Sequence, residues 1–151
     1  MVETIRLYAG KRSNGSPVEE EVRVKGSGDG LFEVLQSPGL VLGIAGGDTI
    51  RVLTGGHFEV VSRGGNFCIQ VFSTSRLDEL EACLTECLGR LRGRLDGRAT
   101  KELVYTVHSS VGFDHLEQEL ASCIGKVEGA NWYYGNVYDP KDGTTPLNWW
   151  K

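Results

Sequence analysis

The sequence predicts an α+β fold: an N-terminal small β-barrel-like or curved antiparallel sheet, followed by a β-α-β-α-β two-layer sandwich. Glycine supplies 21 of the 151 residues, about twice its usual share. Before residue 66 these glycines separate short apolar runs, as in strands joined by tight turns. After residue 66 apolar residues recur twice at helical spacing between strand-like segments. We therefore expect an all-β subdomain over 1–65, an α/β subdomain over 66–138 and an aromatic tail over 139–151.

Six short strands are expected in the N-terminal part, since polar and apolar residues alternate there or form short apolar runs between turn residues. Val22 and Val24 share one face of the second strand, which places Glu19 and Glu21 on the opposite, outward face. Glu33 takes an outward position in the third strand. The expected strands cover residues 3–8, 18–24, 31–35, 41–44, 49–53 and 58–61.

A long amphipathic helix is predicted over residues 75–95. Six leucines from Leu77 to Leu95 follow one another at steps of three or four residues, which is the spacing of one helical face. Ser75 is the expected N-terminal cap. The arginines from Arg90 onward are expected in the last turns, where they would complement the helix dipole.

Three strands and a second helix complete the C-terminal part. Residues 66–72 and 102–108 alternate like strands, and residues 111–127 carry a helical apolar stripe with Ser110 as the expected cap. Residues 131–138 form a last strand or hairpin. Each helix is long enough to connect parallel strands by a right-handed crossover, and both helices would then cover one face of the sheet.

The composition is that of an ordinary globular protein. Hydrophobic residues make up 40% and charged residues 24% of the chain, both near the averages for such proteins. No apolar run approaches the roughly 20 residues that span a bilayer. The first residues also lack the basic and then apolar order of a signal peptide. We therefore expect a soluble cytoplasmic protein with a formal charge of −4 and no membrane partner.

The four cysteines predict neither a metal site nor a disulfide. Cys83 and Cys87 lie one helical turn apart, where a disulfide between them would be strained, and their spacing matches no paired zinc signature. Free cysteines are among the most buried residue types, and cytoplasmic proteins keep them reduced. Cys68, Cys83, Cys87 and Cys123 are therefore expected to be reduced and buried, with no metal or cofactor bound.

The three histidines define the enzymatic alternative, a small enzyme with a histidine-centred site between the two subdomains. A general base at His57, His108 or His115 would need a nucleophile beside it. The nearby Ser110 is better explained as a helix cap, and no Gly-x-Ser-x-Gly elbow is present. The glycine-rich segments neither open a helix nor contain the Lys-Ser or Lys-Thr pair of a phosphate-binding loop.

A basic cluster defines a further alternative, an RNA-binding or translation-associated protein. The competing interpretation is a helix C-terminus whose arginines complement the dipole. Residues 66–151 contain nine basic and twelve acidic side chains, whereas nucleic-acid-binding domains are usually basic. This disfavours a nucleic-acid partner. The cluster consists of Arg90, Arg92, Arg94, Arg98 and Lys101.

The aromatic tail and the outward acids lead to the preferred hypothesis, a non-enzymatic protein-binding module. Six of the thirteen aromatic residues fall in the last twenty positions, and such residues are enriched at interface hot spots. The alternative for the final tryptophans is that they fold back and close the core. An acidic surface would steer a basic protein partner. The candidate binding residues are Glu19, Glu21, Glu33, Asp139, Asp142, Trp149 and Trp150.

The layout resembles a bacterial family, the domain of unknown function 4265. The similar segments are Val18 to Val22, Phe32 to Val34, and the Ala45 to Ile50 turn and strand, which contains Gly46-Gly47-Asp48. The resemblance implies a bacterial source and a fold, and it implies no chemistry. The size and acidity are also typical of bacterial immunity proteins, so we expect a role in neutralising the basic domain of a cognate toxin by direct contact.

Overall fold

The computed structural model describes residues 1–151 and contains two sheets, two α-helices and two short 3₁₀ turns. The strands of the first sheet are β1 (Val2–Lys11), β2 (Pro17–Gly28), β3 (Leu31–Val34), β4 (Thr49–Val52) and β5 (Phe58–Ser62). The second sheet and its helices comprise β6 (Asn66–Phe72), α1 (Leu77–Gly89), β7 (Arg94–Ala99), β8 (Glu102–His108), α2 (Phe113–Ile124) and β9 (Asn131–Tyr134).

The first sheet is an antiparallel meander in the order β1-β2-β3-β4-β5. It curves around a core that includes Leu7, Val22 and Ile50. The turn before β5 returns to β1, where Gly56 packs so closely that a Cβ would lie 3.2 Å from Tyr8 N. Because β1 and β5 are not hydrogen-bonded to each other, the sheet is curved but open. The prediction of a curved antiparallel sheet is confirmed, and no closed barrel forms.

The expected fourth strand at 41–44 is wrong, so the first sheet has five strands. This segment belongs to a loop, 35–48, that connects β3 to β4. The backbone N–H groups of Gly39, Leu40 and Val41 donate to the carboxylate of Glu20 at 2.8–2.9 Å. The segment is apolar because Val41 and Ile44 complete the core of the first sheet, although their backbone joins no ladder.

The second sheet has the order β7-β8-β6-β9, and all neighbouring strands are antiparallel. The order β-α-β-β-α-β with this arrangement is the ferredoxin-like split β-α-β fold. The sequence pattern predicts no strand at β7, and β6 and β8 were therefore expected to run parallel. In the structure β6 and β7 run parallel with β8 between them, so each helix still connects two parallel strands.

The predicted helix over 75–95 is too long, because α1 ends at Gly89. The leucine spacing continues past this point because Leu91 in the turn and Leu95 on β7 still pack against the same core. Arginines beyond Gly89 therefore lie in the turn and on β7 rather than in helical turns. The predicted cap is also wrong, since the N-cap is Arg76, with φ 53°.

The second helix begins at Phe113, later than predicted, and its cap also differs. The residue before the helix is Gly112, whose φ of 81° suits glycine. The expected cap Ser110 instead donates its backbone N–H to His108 Nδ1 at 3.1 Å.

Both helices cover one face of the second sheet, as predicted. Leu84 of α1 and Leu116 of α2 share a core with Phe67 and Tyr105 of the sheet. The opposite face is more polar and contacts the loop 35–48 of the first sheet. The two antiparallel sheets and the two helices confirm the predicted α+β class.

Neither helix combines the length and the apolar character of a membrane-spanning segment.

The cysteine prediction is wrong for two of the four residues. Cys83 on α1 and Cys123 on α2 form a disulfide, with their Cα atoms 5.7 Å apart. Sequence spacing gave no sign of this pair because the two residues are 40 positions apart and meet only when the helices pack together. Cys68 and Cys87 are free and buried, as predicted.

Candidate functional site

A cleft of about 470 Å³ lies at the open seam between β1 and β5. Each of these strands has a hydrogen-bonded neighbour on one side only. The C-terminal tail and the loop 35–48 form the remaining walls. The cleft is lined by Tyr8, Ala9, Gly10, Leu42, Gly43, His57, Phe58, Val60, Arg63, Asp139, Pro140, Lys141 and Leu147.

The two edge strands supply an apolar and aromatic floor. Tyr8 of β1 contacts His57, with ring centroids 4.5 Å apart. Phe58 and Val60 of β5 are half-buried beside them. Leu42 of the loop 35–48 also lines the cleft and is 40% exposed, so it presents an apolar side chain to solvent there.

One wall of the cleft is fixed by Arg63. Its Nη1 donates to Gly43 O at 2.8 Å and to Asp48 Oδ2 at 3.2 Å, and its guanidinium lies 5.7 Å from the ring centre of Trp149. Asp48 also accepts the backbone N–H groups of Ala45 and Gly64. Burial raises the pKa of Asp48, while these hydrogen bonds and Arg63 favour its ionised form. The carboxylate thus holds two chain segments together.

The tail forms the other wall as a short hairpin, closed by a bridge between Tyr138 and Pro146. Asp139, one of the predicted binding residues, lines the cleft. Asp142, a second, lies at the exposed hairpin tip. There it accepts the Oγ1 and backbone N–H groups of Thr145 and the backbone N–H of Thr144, which lower its pKa to about 2.

The three predicted acids of the first sheet lie on exposed positions of β2 and β3. Glu19 is paired across the strands with the cleft residue Tyr8. Glu21 lies 3.8 Å from the guanidinium of Arg6. Glu33 is paired across the strands with Lys25 and Thr49. Glu21 and Glu33 therefore have positive or neutral side chains beside them, and only Asp139 of the predicted set lines the cleft.

The two final tryptophans pack onto the core of the second sheet. The ring centroids of Trp149 and Trp150 lie 5.5 Å and 6.3 Å from that of Phe67, and the Trp150 centroid lies 5.3 Å from that of Phe113. Trp149 Nε1 also donates to Asn136 O at 2.8 Å. This placement corresponds to the core-closing alternative of the sequence analysis, with both side chains partly buried.

The histidines do not meet in one site. His57 lies in the cleft, whereas His108 and His115 lie on β8 and α2. His108 Nδ1 is 2.9 Å from Ser110 Oγ, the distance of a catalytic dyad. The same nitrogen accepts the backbone N–H of Ser110, so this contact is a local turn cap between two exposed residues.

The basic cluster is largely neutralised by carboxylates. Arg90 pairs with Glu86 and Glu119, Arg94 with Asp96, and Arg98 with Asp78 and Glu81. Arg92 and Lys101 are left without ion pairs. Because most of these positive charges are paired, the cluster offers little free charge for a phosphate backbone.

Sequence reasoning missed two carboxylates that meet between the sheets, Glu20 and Glu102. Burial and the nearby Glu20 raise the pKa of Glu102 to about 7. Glu102 Oε2 is buried without a hydrogen-bond partner. The available signal was the parity of Glu20, which shares the inward face of β2 with Val22 and Val24.

The fold and the cleft define a two-sheet α+β protein with an open, partly apolar groove. The chain belongs to the family DUF4265, a domain of unknown function, whose model matches residues 20–131. The resemblance noted in the sequence is therefore confirmed. No curated protein matches the chain significantly.

A similar solved structure is titled as a novel crystal structure of a hypothetical protein from Neisseria gonorrhoeae. The two chains are 13% identical, and the match covers 89% of this chain and 94% of the other with a TM-score of 0.65. At this identity the similarity concerns the fold alone.

Proposed function

We propose that this protein is a non-enzymatic binding module that takes an extended segment of a partner protein into the cleft between β1 and β5. The open seam carries the proposal. Two strand edges that have no hydrogen-bonded neighbour strand flank an apolar floor there, and an added strand would pair with them beyond the turn at Gly56, which already packs on β1 at Tyr8. Alternate side chains of the segment would then enter the cleft, as in other strand-addition complexes.

The chemistry of the cleft supports an apolar segment, since Phe58, Val60 and Leu42 offer apolar contact. Asp139 adds one carboxylate to a lining that also contains Lys141. The net charge of −4 would add electrostatic steering toward a basic partner. Neutralisation of a cognate bacterial toxin is the specific form of this function that we propose.

Site-specific photo-crosslinking tests where a partner docks. A photoreactive phenylalanine would replace Leu42 in the cleft, Glu33 on the outer strand face, or Ala121 on the helix layer. We expect a discrete crosslinked protein from position 42 only. Crosslinks from position 33 alone would contradict the cleft and favour the acidic outer face. Equal yields at all three positions would contradict a defined binding site.

Affinity for the crosslinked partner, purified separately, gives the quantitative test. Leu42→Asp should weaken binding at least about tenfold, or about 1.4 kcal/mol, because it places a charge in an apolar contact. Leu53→Asp is the matched control, since Leu53 is 45% exposed, close to the 40% of Leu42, but lies outside the cleft. Equal affinities of the two variants would contradict the proposal.

A further inference from the structure

Three cysteines meet where the two helices pack against each other. Cys83 and Cys87 lie four residues apart on α1, and Cys123 faces them from α2. All three sulfur atoms lie within 4.8 Å of one another. Cys83 and Cys123 form the disulfide, and the free Cys87 Sγ lies 3.5 Å from Cys123 Sγ. The free thiol of Cys87 thus lies beside Cys123 Sγ, one of the two sulfurs of the disulfide.

The three sulfurs differ in their access to solvent. Cys123 is fully buried and Cys87 is 9% exposed, whereas Cys83 is only partly buried. Arg90 Nη2 donates to Cys87 Sγ at 3.5 Å and is itself held by Glu86 and Glu119. A positive charge therefore stands beside the free sulfur.

We propose that Cys83, Cys87 and Cys123 form a thiol–disulfide exchange site that reacts with external disulfide compounds. In the first step the Cys87 thiolate attacks Cys123 Sγ. The Cys87–Cys123 bond forms, the Cys83–Cys123 bond breaks, and its electron pair stays on Cys83 Sγ. The proton released by Cys87 is balanced by the proton that Cys83 takes up. No oxidant is consumed.

This exchange moves the free thiol from a buried to an accessible position. The sulfur separation of 3.5 Å matches the roughly 3–3.5 Å of a near-attack distance. Because all three sulfurs lie within 4.8 Å of one another, they are not yet in line, and the Cys87 side chain must rotate before its sulfur attacks along the Cys83–Cys123 bond. The released Cys83 thiolate can then attack an external disulfide, forming a mixed disulfide at Cys83 and releasing one thiol. The substrate class is therefore a low-molecular-weight or protein disulfide.

Alkylation of the native, oxidised protein tests the first step. The protein would be incubated with iodoacetamide without reductant, and its peptides mapped by mass spectrometry under non-reducing conditions. We expect alkylated Cys83 to accumulate together with a Cys87–Cys123 disulfide. In Cys87→Ser, Cys83 should be labelled at least about tenfold more slowly, because no internal thiol can release it.

Cys68 provides the matched control. It is buried against the loop 35–48, where its Sγ contacts Pro38 O at 3.5 Å, and burial raises its pKa far above the usual value. In Cys68→Ser, Cys83 should therefore be alkylated at the same rate as in the wild type. An unchanged Cys83–Cys123 disulfide in alkylated wild-type protein would overturn the exchange, and this result requires no variant to fold.

The second step has its own readout. With oxidised glutathione as the external disulfide, wild-type protein should acquire one glutathione at Cys83, and Cys87→Ser should not. In Cys83→Ser, glutathione should instead oxidise the remaining pair to Cys87–Cys123. Failure to form that disulfide in folded Cys83→Ser would overturn the proposal, as would three freely alkylated thiols in wild type.

Discussion

Glu20 illustrates how one position along a strand decides the role of a side chain. It lies between two outward-facing glutamates, Glu19 and Glu21, but shares the inward face of β2 with Val22. Its carboxylate accepts three backbone N–H groups from the loop 35–48. The strand therefore stabilises the loop through one ionised side chain, since charge-assisted hydrogen bonds are stronger than neutral ones.

Replacing this carboxylate should destabilise the protein. Glu20→Gln should lower the free energy of unfolding by about 2 kcal/mol, because one amide oxygen replaces a charged acceptor pair. The matched controls Glu19→Gln and Glu21→Gln lie on the exposed face and should change it by less than about 0.5 kcal/mol. Urea denaturation measures all three values. Equal effects at the three positions would show that Glu20 does not hold the loop.

At the scale of elements, the C-terminal hairpin connects the cleft to the core. Residues 139–141 and Leu147 line the cleft, while Trp149 and Trp150 pack on Phe67 of β6. The aromatic density of the tail is therefore compatible with a role in stability, and the binding role of the tryptophans remains a prediction. Arg63 lies over Trp149 and connects this contact to the cleft wall.

Truncation of one tryptophan separates these roles. Trp150→Ala should lower the free energy of unfolding by about 1–3 kcal/mol, less than the 3–5 kcal/mol typical of fully buried aromatic residues, because its side chain is only partly buried. Tyr138→Ala is the control, since Tyr138 is in the same tail and 43% exposed. Thermal unfolding measures both. An unchanged melting temperature for Trp150→Ala would favour an exposed binding anchor.

At the scale of the whole molecule, the two sheets meet through polar contacts. Ser37 from the loop 35–48 donates its backbone N–H to Asp96 of β7, and Gln70 of β6 donates to Pro38 O. Glu102 of β8 lies in the same contact, close to Glu20. This region lacks the large apolar side chains of the two cores and depends on hydrogen bonds and on the protonation of Glu102.

The stability of this contact should depend on pH. The pKa of Glu102 is raised to about 7 from its ordinary value of 4.5, so the folded state keeps a proton that the unfolded state releases first. The contribution of Glu102 is therefore complete below pH 4.5 and is lost as the pH rises through 7. Wild-type stability, relative to Glu102→Gln, should fall across this window.

Melting temperatures of wild type and Glu102→Gln, measured between pH 4.5 and 8, provide the test. The variant mimics the neutral acid. The melting temperatures of the two proteins should therefore be closest at low pH, and that of the variant should be higher relative to wild type at high pH. A difference that is independent of pH would contradict the raised pKa. Glu33→Gln, at an exposed position, controls for the loss of one charge.

The sequence alone determined the features that depend on local periodicity and composition. Strands at 66–72 and 102–108 were predicted with their observed bounds, because alternating side chains specify a strand and its buried face. The α+β class also followed from the order of such patterns, and the family resemblance from the segments around Val18, Phe32 and Ala45. The end of the first helix could not be predicted from periodicity, because Leu91 and Leu95 keep helical spacing although they pack from a turn and a strand.

Only the tertiary structure decided which distant residues meet. The inserted strand β7 made β6 and β8 antiparallel. Helix packing brought Cys83 to Cys123 across 40 positions, and the unclosed edge of β1 created the cleft with β5. The physical reason is that periodicity reports which face of an element is buried, whereas strand order and contact partners depend on the simultaneous packing of all the elements.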